Sequence, residues 1–144
     1  MEYKELKDRI KIHEGYRNTV YKDSLGFATV GYGHLITPED HYKEDQEYSK
    51  HELDAQFEAD FQTAKCGAER LLKDINILFT AKCVIIEMVF QLGESGVSKF
   101  TNTLKALKEE NYQEAAKEML DSNWVSQTPE RAKSLASTMR TCKI

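Results

Sequence analysis

The hydrophobic positions of this 144-residue chain change rhythm several times, and each change predicts an element. Tyr3, Leu6 and Ile10 recur at spacings of three and four, which predicts a short amphipathic helix over residues 2–12 ending near Gly15. Residues 17–36 switch to β-forming runs: RNTVYK, a DSLG turn, then FATVGYG, in which Gly31 and Gly33 mark a bulge or a close approach to backbone. Residues 37–50 are polar and read as a solvated loop with at most one helical turn after Pro38. Ser49 and Glu52 then form a capping box. Leu53, Phe57, Phe61, Ala64, Ala68 and Leu71 follow at helical spacing, predicting one helix over residues 49–73 that serves as a spine joining two lobes.

After Asn76 the run CVIIEMVFQL is apolar on nearly every side, as in a helix buried at the centre of a lobe. Thr101, Asn111 and the Thr128–Pro129 pair punctuate further short helices. Their predicted inward faces are Leu104 and Leu107; Ala115, Ala116, Met119 and Leu120; and Ala132, Leu135 and Met139. Trp124 is expected in the core of this helical half. No repeat or low-complexity segment interrupts the pattern.

Composition adds limits. Hydrophobic residues at 40% and charged residues at 31% suit an ordinary soluble globular chain, long enough for one domain with two lobes. Net charge is -4, with 12 basic against 17 acidic residues in 1–90 and 8 against 7 in 91–144, and no long block of one sign. Nucleic acid is therefore excluded as a partner, since phosphate binding wants a clustered basic face. Cys66, Cys83 and Cys142 are an odd number without zinc-ligand spacing, which predicts three reduced thiols, Cys83 buried, and no metal. The charged N-terminus has no export signal, and no segment is long or apolar enough to span a membrane.

The chemistry concentrates in residues 13–34, HEGYRNTVYKDSLGFATVGYGH. Two carboxylates, Glu14 and Asp23, flank the hairpin pattern, with a hydroxyl at Thr29 and an imidazole at His34. A carboxylate pair is the minimum equipment for cleaving a glycosidic bond, because one group protonates the leaving oxygen while the other activates water or attacks carbon. Glu14 falls near a helix C-terminus, whose dipole favours the protonated carboxyl of a general acid. Asp23 opens the turn, so it reads equally as an Asx-turn residue bonding its own backbone.

Two stretches resemble the phage T4-type lysozymes, which hydrolyse peptidoglycan. HEGYRNTVYKDSLGFATVGYGHL is similar to that family's E-G-x-R-x-x-x-Y-x-D-x-x-G-x-x-T-x-G-x-G-H signature. MVFQLGESGVSKFTNTLKAL and NWVSQTPERAKS resemble its second lobe in order and wording. The resemblance implies an α+β, lysozyme-like fold: a small β-hairpin lobe over 13–48, a connecting helix over 49–73, and a helical lobe of 1–12 and 74–144, with the active-site cleft between the lobes.

It further implies that Glu14 is the general acid and that Asp23 and Thr29 position and activate water. The implied reaction inverts the β-1,4 bond between N-acetylmuramic acid and N-acetylglucosamine, which requires room for water between acid and base. His34 would shape the site from beneath, and Arg131 would reach across the cleft to Glu14. Phe90 and Gln91 would line the cleft floor and Leu35 would face them, with core packing the alternative for Phe90 and Leu35. The Gln91 amide must find polar partners, and sugar groups would serve. A non-catalytic glycan- or protein-binding member of the same fold is the alternative function.

The implied setting is phage-induced lysis. A monomer without cofactor would accumulate in the host bacterial cytoplasm and reach the cell wall once a separate holin opens the membrane, with no stable membrane association. Against the family pattern, the stretch between GHL and the connecting helix is shortened by about a hairpin, the chain is acidic, and Glu87 adds a third carboxyl near the groove.

Overall fold

A computed structural model describes residues 3–142. Among these, seven helices accompany one three-stranded antiparallel sheet, the expected α+β class. The elements are α1 (Lys4–Glu14), β1 (Arg17–Lys22), β2 (Ala28–Gly31), β3 (His34–Leu35), α2 (Lys50–Leu71), α3 (Phe79–Ser98), α4 (Thr101–Lys108), α5 (Tyr112–Leu120), α6 (Asn123–Gln127) and α7 (Pro129–Arg140). Packing divides the chain into two compact units, residues 1–63 and 64–144, and the boundary falls within α2.

In the first unit, α1 buries Leu6 and Ile10 and runs two residues past its expected end, through Glu14. Gly15 stops it at φ 74°, its N–H closing on the Lys11 carbonyl at 3.0 Å. The resemblance places residues 1–12 with the helical lobe; the described contacts of α1 within its own unit are with the β2–β3 turn and the first half of α2. Tyr3 packs on Phe61, Lys7 pairs with Glu58 at 2.9 Å, and the Lys11 ammonium lies over the Tyr32 and Phe57 rings.

The sheet has order β1-β2-β3, and its bulge lies in β1 between Arg17 and Tyr21. The two sequence glycines do other work. Gly31 (φ 65°) lets Leu53 approach the strand, and Gly33 (φ 79°) gives way to Glu14. Residues 37–50 are less solvated than their polarity suggests: Tyr42 is buried and, with Tyr48, packs on Val30 and Leu53 to make the unit's small core. Two tyrosines in a polar run form no periodic stripe, so the pattern hides them. Ser49 does cap α2, its hydroxyl accepting the Glu52 N–H at 3.1 Å.

The second unit is all helical. Val84, Ile85, Ile86 and Met88 on α3 are fully buried, and α3 is interrupted at Gly93 (φ 80°, ψ 160°). Leu107, Ala115, Ala116, Met119, Ala132, Leu135 and Met139 are buried as predicted, whereas Leu120, at the last position of α5, is 37% exposed. Asn111 caps α5 through Glu114 N–H at 3.1 Å. The three cysteines are free thiols, with Cys83 buried. Among the described residues no helix is long and apolar enough to cross a membrane.

Candidate active site

The hairpin between β1 and β2 is closed by a turn whose hydrogen bonds centre on Asp23 and Phe27. Asp23 N–H donates to the Phe27 carbonyl and Gly26 N–H to the Asp23 carbonyl, both at 2.9 Å. Asp23 Oδ1 accepts the Leu25 and Phe27 N–H groups, each at 2.9 Å. The Asx-turn alternative is thus realised, and it uses one oxygen only. Among the described residues Oδ2 accepts no hydrogen bond, which leaves it available to water.

Thr29 is 2% exposed, and its hydroxyl donates to the Phe27 carbonyl at 2.9 Å. With its proton committed, Thr29 Oγ1 presents lone pairs alone, so a water beside it must donate. Asp23 and Thr29 are therefore two acceptors tied to the same residue, Phe27.

Tyr21 lies opposite Thr29 in the sheet. Burial pushes its phenol pKa up, and the charges of Glu14 and Asp23 push it further, against a lowering by Arg17, whose guanidinium covers the ring at 4.7 Å. Both carboxylates thus act on one phenol. Sequence reading passed over Tyr21 as an ordinary strand residue; its place two positions before Asp23, on the same strand face, was the available signal.

Glu14 is the last residue of α1. Gly33 brings the strand backbone against it: a Cβ added there would lie 3.0 Å from Glu14 Cδ. Gly33→Ala is therefore expected to lower turnover at least about tenfold by displacing the carboxyl. Turbidity clearing together with circular dichroism would check this, with fold retained and rate lost.

His34 is held at both ring nitrogens, Nδ1 by Asp60 at 2.8 Å and Nε2 by Asp40 at 2.9 Å. The network continues through Gln56, whose amide donates to Asp60 at 3.0 Å and accepts the Tyr42 hydroxyl at 2.9 Å. The Tyr42 pKa is pushed up to about 12, chiefly by burial. Burial alone would lower the His34 pKa, but its bonds to Asp60 and Asp40 outweigh it and hold the imidazolium. Asp40 moves down: burial would raise it, yet the Thr37 N–H and His34 prevail. This clamp ties β3 and the following loop to α2. Asp60, a charge beside the buried stripe of α2, was the missed signal.

The signs define a pH window. A raised His34 pKa gives stability that is complete below its ordinary 6.5 and lost as pH rises through the folded value. A lowered Asp40 pKa gives stability present above 3.8 and lost as pH falls through the folded value. Thermal melts as pH rises above 6.5 should show the unmodified protein losing about 2 kcal/mol that His34→Asn never had. Parallel curves for the two proteins would contradict the clamp. Leu35, beside His34, is 52% exposed and thus outside the core.

The second unit holds the remaining expected residues. Arg131 Nε donates to Glu87 Oε2 at 3.0 Å. Glu87, the third carboxyl expected near the groove, is fully buried. Gln91 finds its polar partners inside the unit, donating to Thr128 Oγ1 at 3.1 Å and accepting from the buried Trp124 Nε1 at 3.0 Å. Phe90 is half-buried. A cavity of about 440 Å³ opens between α3, α4, α5 and α6, lined by Lys99, Asn102, Thr103, Glu118, Asp121 and Trp124. Thr103 is 1% exposed, and its hydroxyl has no hydrogen-bond partner among the described residues. A threonine in a helix carries no sequence signal of that kind. No group of three His, Cys, Asp or Glu among the described residues could hold a metal.

Comparison with known proteins gives a consistent picture. The phage lysozyme family profile matches residues 11–140. The chain is 35% identical over 159 aligned positions to "Probable T4-type lysozyme 2" of Dictyostelium discoideum, covering 94% of each, and 34% identical to "Probable T4-type lysozyme 1" of the same organism at equal coverage. It is 28% identical to the "Peptidoglycan hydrolase gp36" of Pseudomonas phage phiKMV, over 88% of this chain and 14% of that protein.

Proposed function

The chain belongs to the phage lysozyme family and is a peptidoglycan-degrading lysozyme, and from that premise we propose that it cleaves the β-1,4 bond between N-acetylmuramic acid and N-acetylglucosamine with inversion. Glu14 protonates the leaving oxygen. A water donates one hydrogen to Asp23 Oδ2 and the other to Thr29 Oγ1, and Asp23 takes its proton as the water attacks the anomeric carbon. The observation that carries this reading is the polarity of the hairpin: both groups are acceptors, so a water between them keeps a lone pair for attack.

Asp23→Asn tests it cleanly. The asparagine Oδ1 can still accept the Leu25 and Phe27 N–H groups, so the turn survives, while the second oxygen becomes an amide nitrogen that donates. Reducing-end release from purified peptidoglycan should fall by at least about a hundredfold, with an unchanged melt. A loss under about tenfold, or roughly 1.4 kcal/mol of barrier, would leave Asp23 a turn residue only.

We infer substrate-binding roles for His34 and Leu35 in the first unit and for Phe90, Gln91 and Arg131 in the second. The mixed charges of the α3–α4–α5–α6 cavity suit a peptide stem carrying both a carboxylate and an amine. The biological role is lysis of a phage host by a monomer that a separate holin releases from the cytoplasm to the wall.

A further inference from the structure

The hairpin register fixes which side chains accompany the two water-holding groups. Tyr21 pairs with Thr29 and Lys22 with Ala28, and the next bond joins Asp23 to Phe27. Strand alternation then puts Tyr21, Asp23, Phe27 and Thr29 on one face of the hairpin, with Lys22 and Ala28 on the other. Exposure rises along that face towards the turn: Thr29 is 2% exposed and Phe27 59%. A phenylalanine ring is thus left open to solvent beside a carboxylate with a free oxygen.

We propose that Phe27 is a glycan platform, its ring stacking on the apolar face of a pyranose next to Asp23 and setting how tightly the protein holds the saccharide part of its substrate. The inference rests on the saccharide substrate of the preceding section and adds a specificity residue to it. A pyranose is amphipathic in the matching way. The C–H groups on one face carry partial positive charge and suit the negative face of an aromatic ring, while the hydroxyls around its edge suit a carboxylate. An exposed ring alone would mean little, since scattered apolar residues are normal on surfaces. Here the ring shares its face with Asp23 and Thr29.

The pivot of the ring is also fixed in advance. Phe27 N–H is held by Asp23 Oδ1, and its carbonyl accepts both the Asp23 N–H and the Thr29 hydroxyl. Little loop ordering is left for binding to pay, so the contact appears as affinity. Leu25, at the tip of the same turn and 66% exposed, is the natural control: apolar, equally open, but not flat.

The test is calorimetric titration with soluble peptidoglycan tetrasaccharides bearing their stem peptides, on protein carrying Glu14→Gln to prevent turnover, alongside kcat and KM of the otherwise unmodified chain. Phe27→Ala should weaken binding about tenfold and raise KM to match, with kcat within about twofold and an unchanged melt. Phe27→Trp should stay within about twofold of the parent, Phe27→Leu should remain as weak as Phe27→Ala, and Leu25→Ala should change nothing. The inference is overturned if Phe27→Ala binds like the parent, if Phe27→Leu restores affinity as fully as Phe27→Trp, or if kcat falls with affinity unchanged. Binding that depends on Phe27 in a chain that releases no reducing ends would sink the cleavage mechanism and leave this inference standing; the converse result would do the opposite.

Discussion

Glu14→Gln is expected to reduce peptidoglycan hydrolysis by about a thousandfold or more while the protein stays folded. Glutamine keeps the size and planarity of the side chain at the end of α1, so the Gly15 stop and the Gly33 approach are preserved. An amide can donate a hydrogen bond but cannot transfer a proton to the leaving oxygen. A positioned acid is worth about 10²–10⁴ in rate, and the role proposed for Glu14, protonating the bond beside the substrate, belongs at the upper end. Clearing of outer-membrane-permeabilised cells reads the rate, and a melt within about 3 °C of the parent excludes a folding defect. Retention of a tenth of the activity would remove Glu14 from the chemistry.

The second large effect is on stability. Glu87 is fully buried, and Arg131, 9% exposed at its side chain, is one of its partners. Ion pairs of this kind add little against apolar replacements, but breaking one takes a charge-assisted hydrogen bond from a buried carboxylate. Arg131→Met should therefore cost about 3–5 kcal/mol and lower the melting temperature by about 10 °C. With Glu87→Met added neither member of the pair is buried as a charge, and the double variant should regain part of the loss. A single variant that melts within about 2 °C of the parent would show the pair to be dispensable.

How much of this was legible in the sequence depended on distance along the chain. Local signals were sound: the Ser49 and Asn111 caps, the 3.6-residue stripe of Leu53, Phe57 and Phe61, and the DSLG turn all resolve within a few residues. The Asp23 question was posed as turn residue or site residue; the turn role is realised through Oδ1 alone, so the proposed role of Oδ2 is compatible with it.

Partners far apart in sequence were illegible. His34 and Asp60 are 26 residues apart, and Arg131 and Glu87 are 44 apart; no periodicity links them. For the same reason the contacts of Glu87 with Arg131, and of Gln91 with Trp124 and Thr128, inside the helical unit could not be read from the sequence. Tyr42 and Tyr48 sat in a segment whose composition says loop, and the packing there of one buried and one half-buried ring follows from Val30 and Leu53 arriving from β2 and α2.

The measurement closest to the central claim follows the anomeric proton of the newly formed reducing end by NMR, in the first minutes after the unmodified protein is mixed with soluble uncross-linked glycan chains. A water held by Asp23 and Thr29 and delivered opposite the departing sugar predicts that the α-anomer of N-acetylmuramic acid appears first and the β-anomer only later, by mutarotation. Initial formation of the β-anomer, or glycan left intact by a folded protein, would contradict the account.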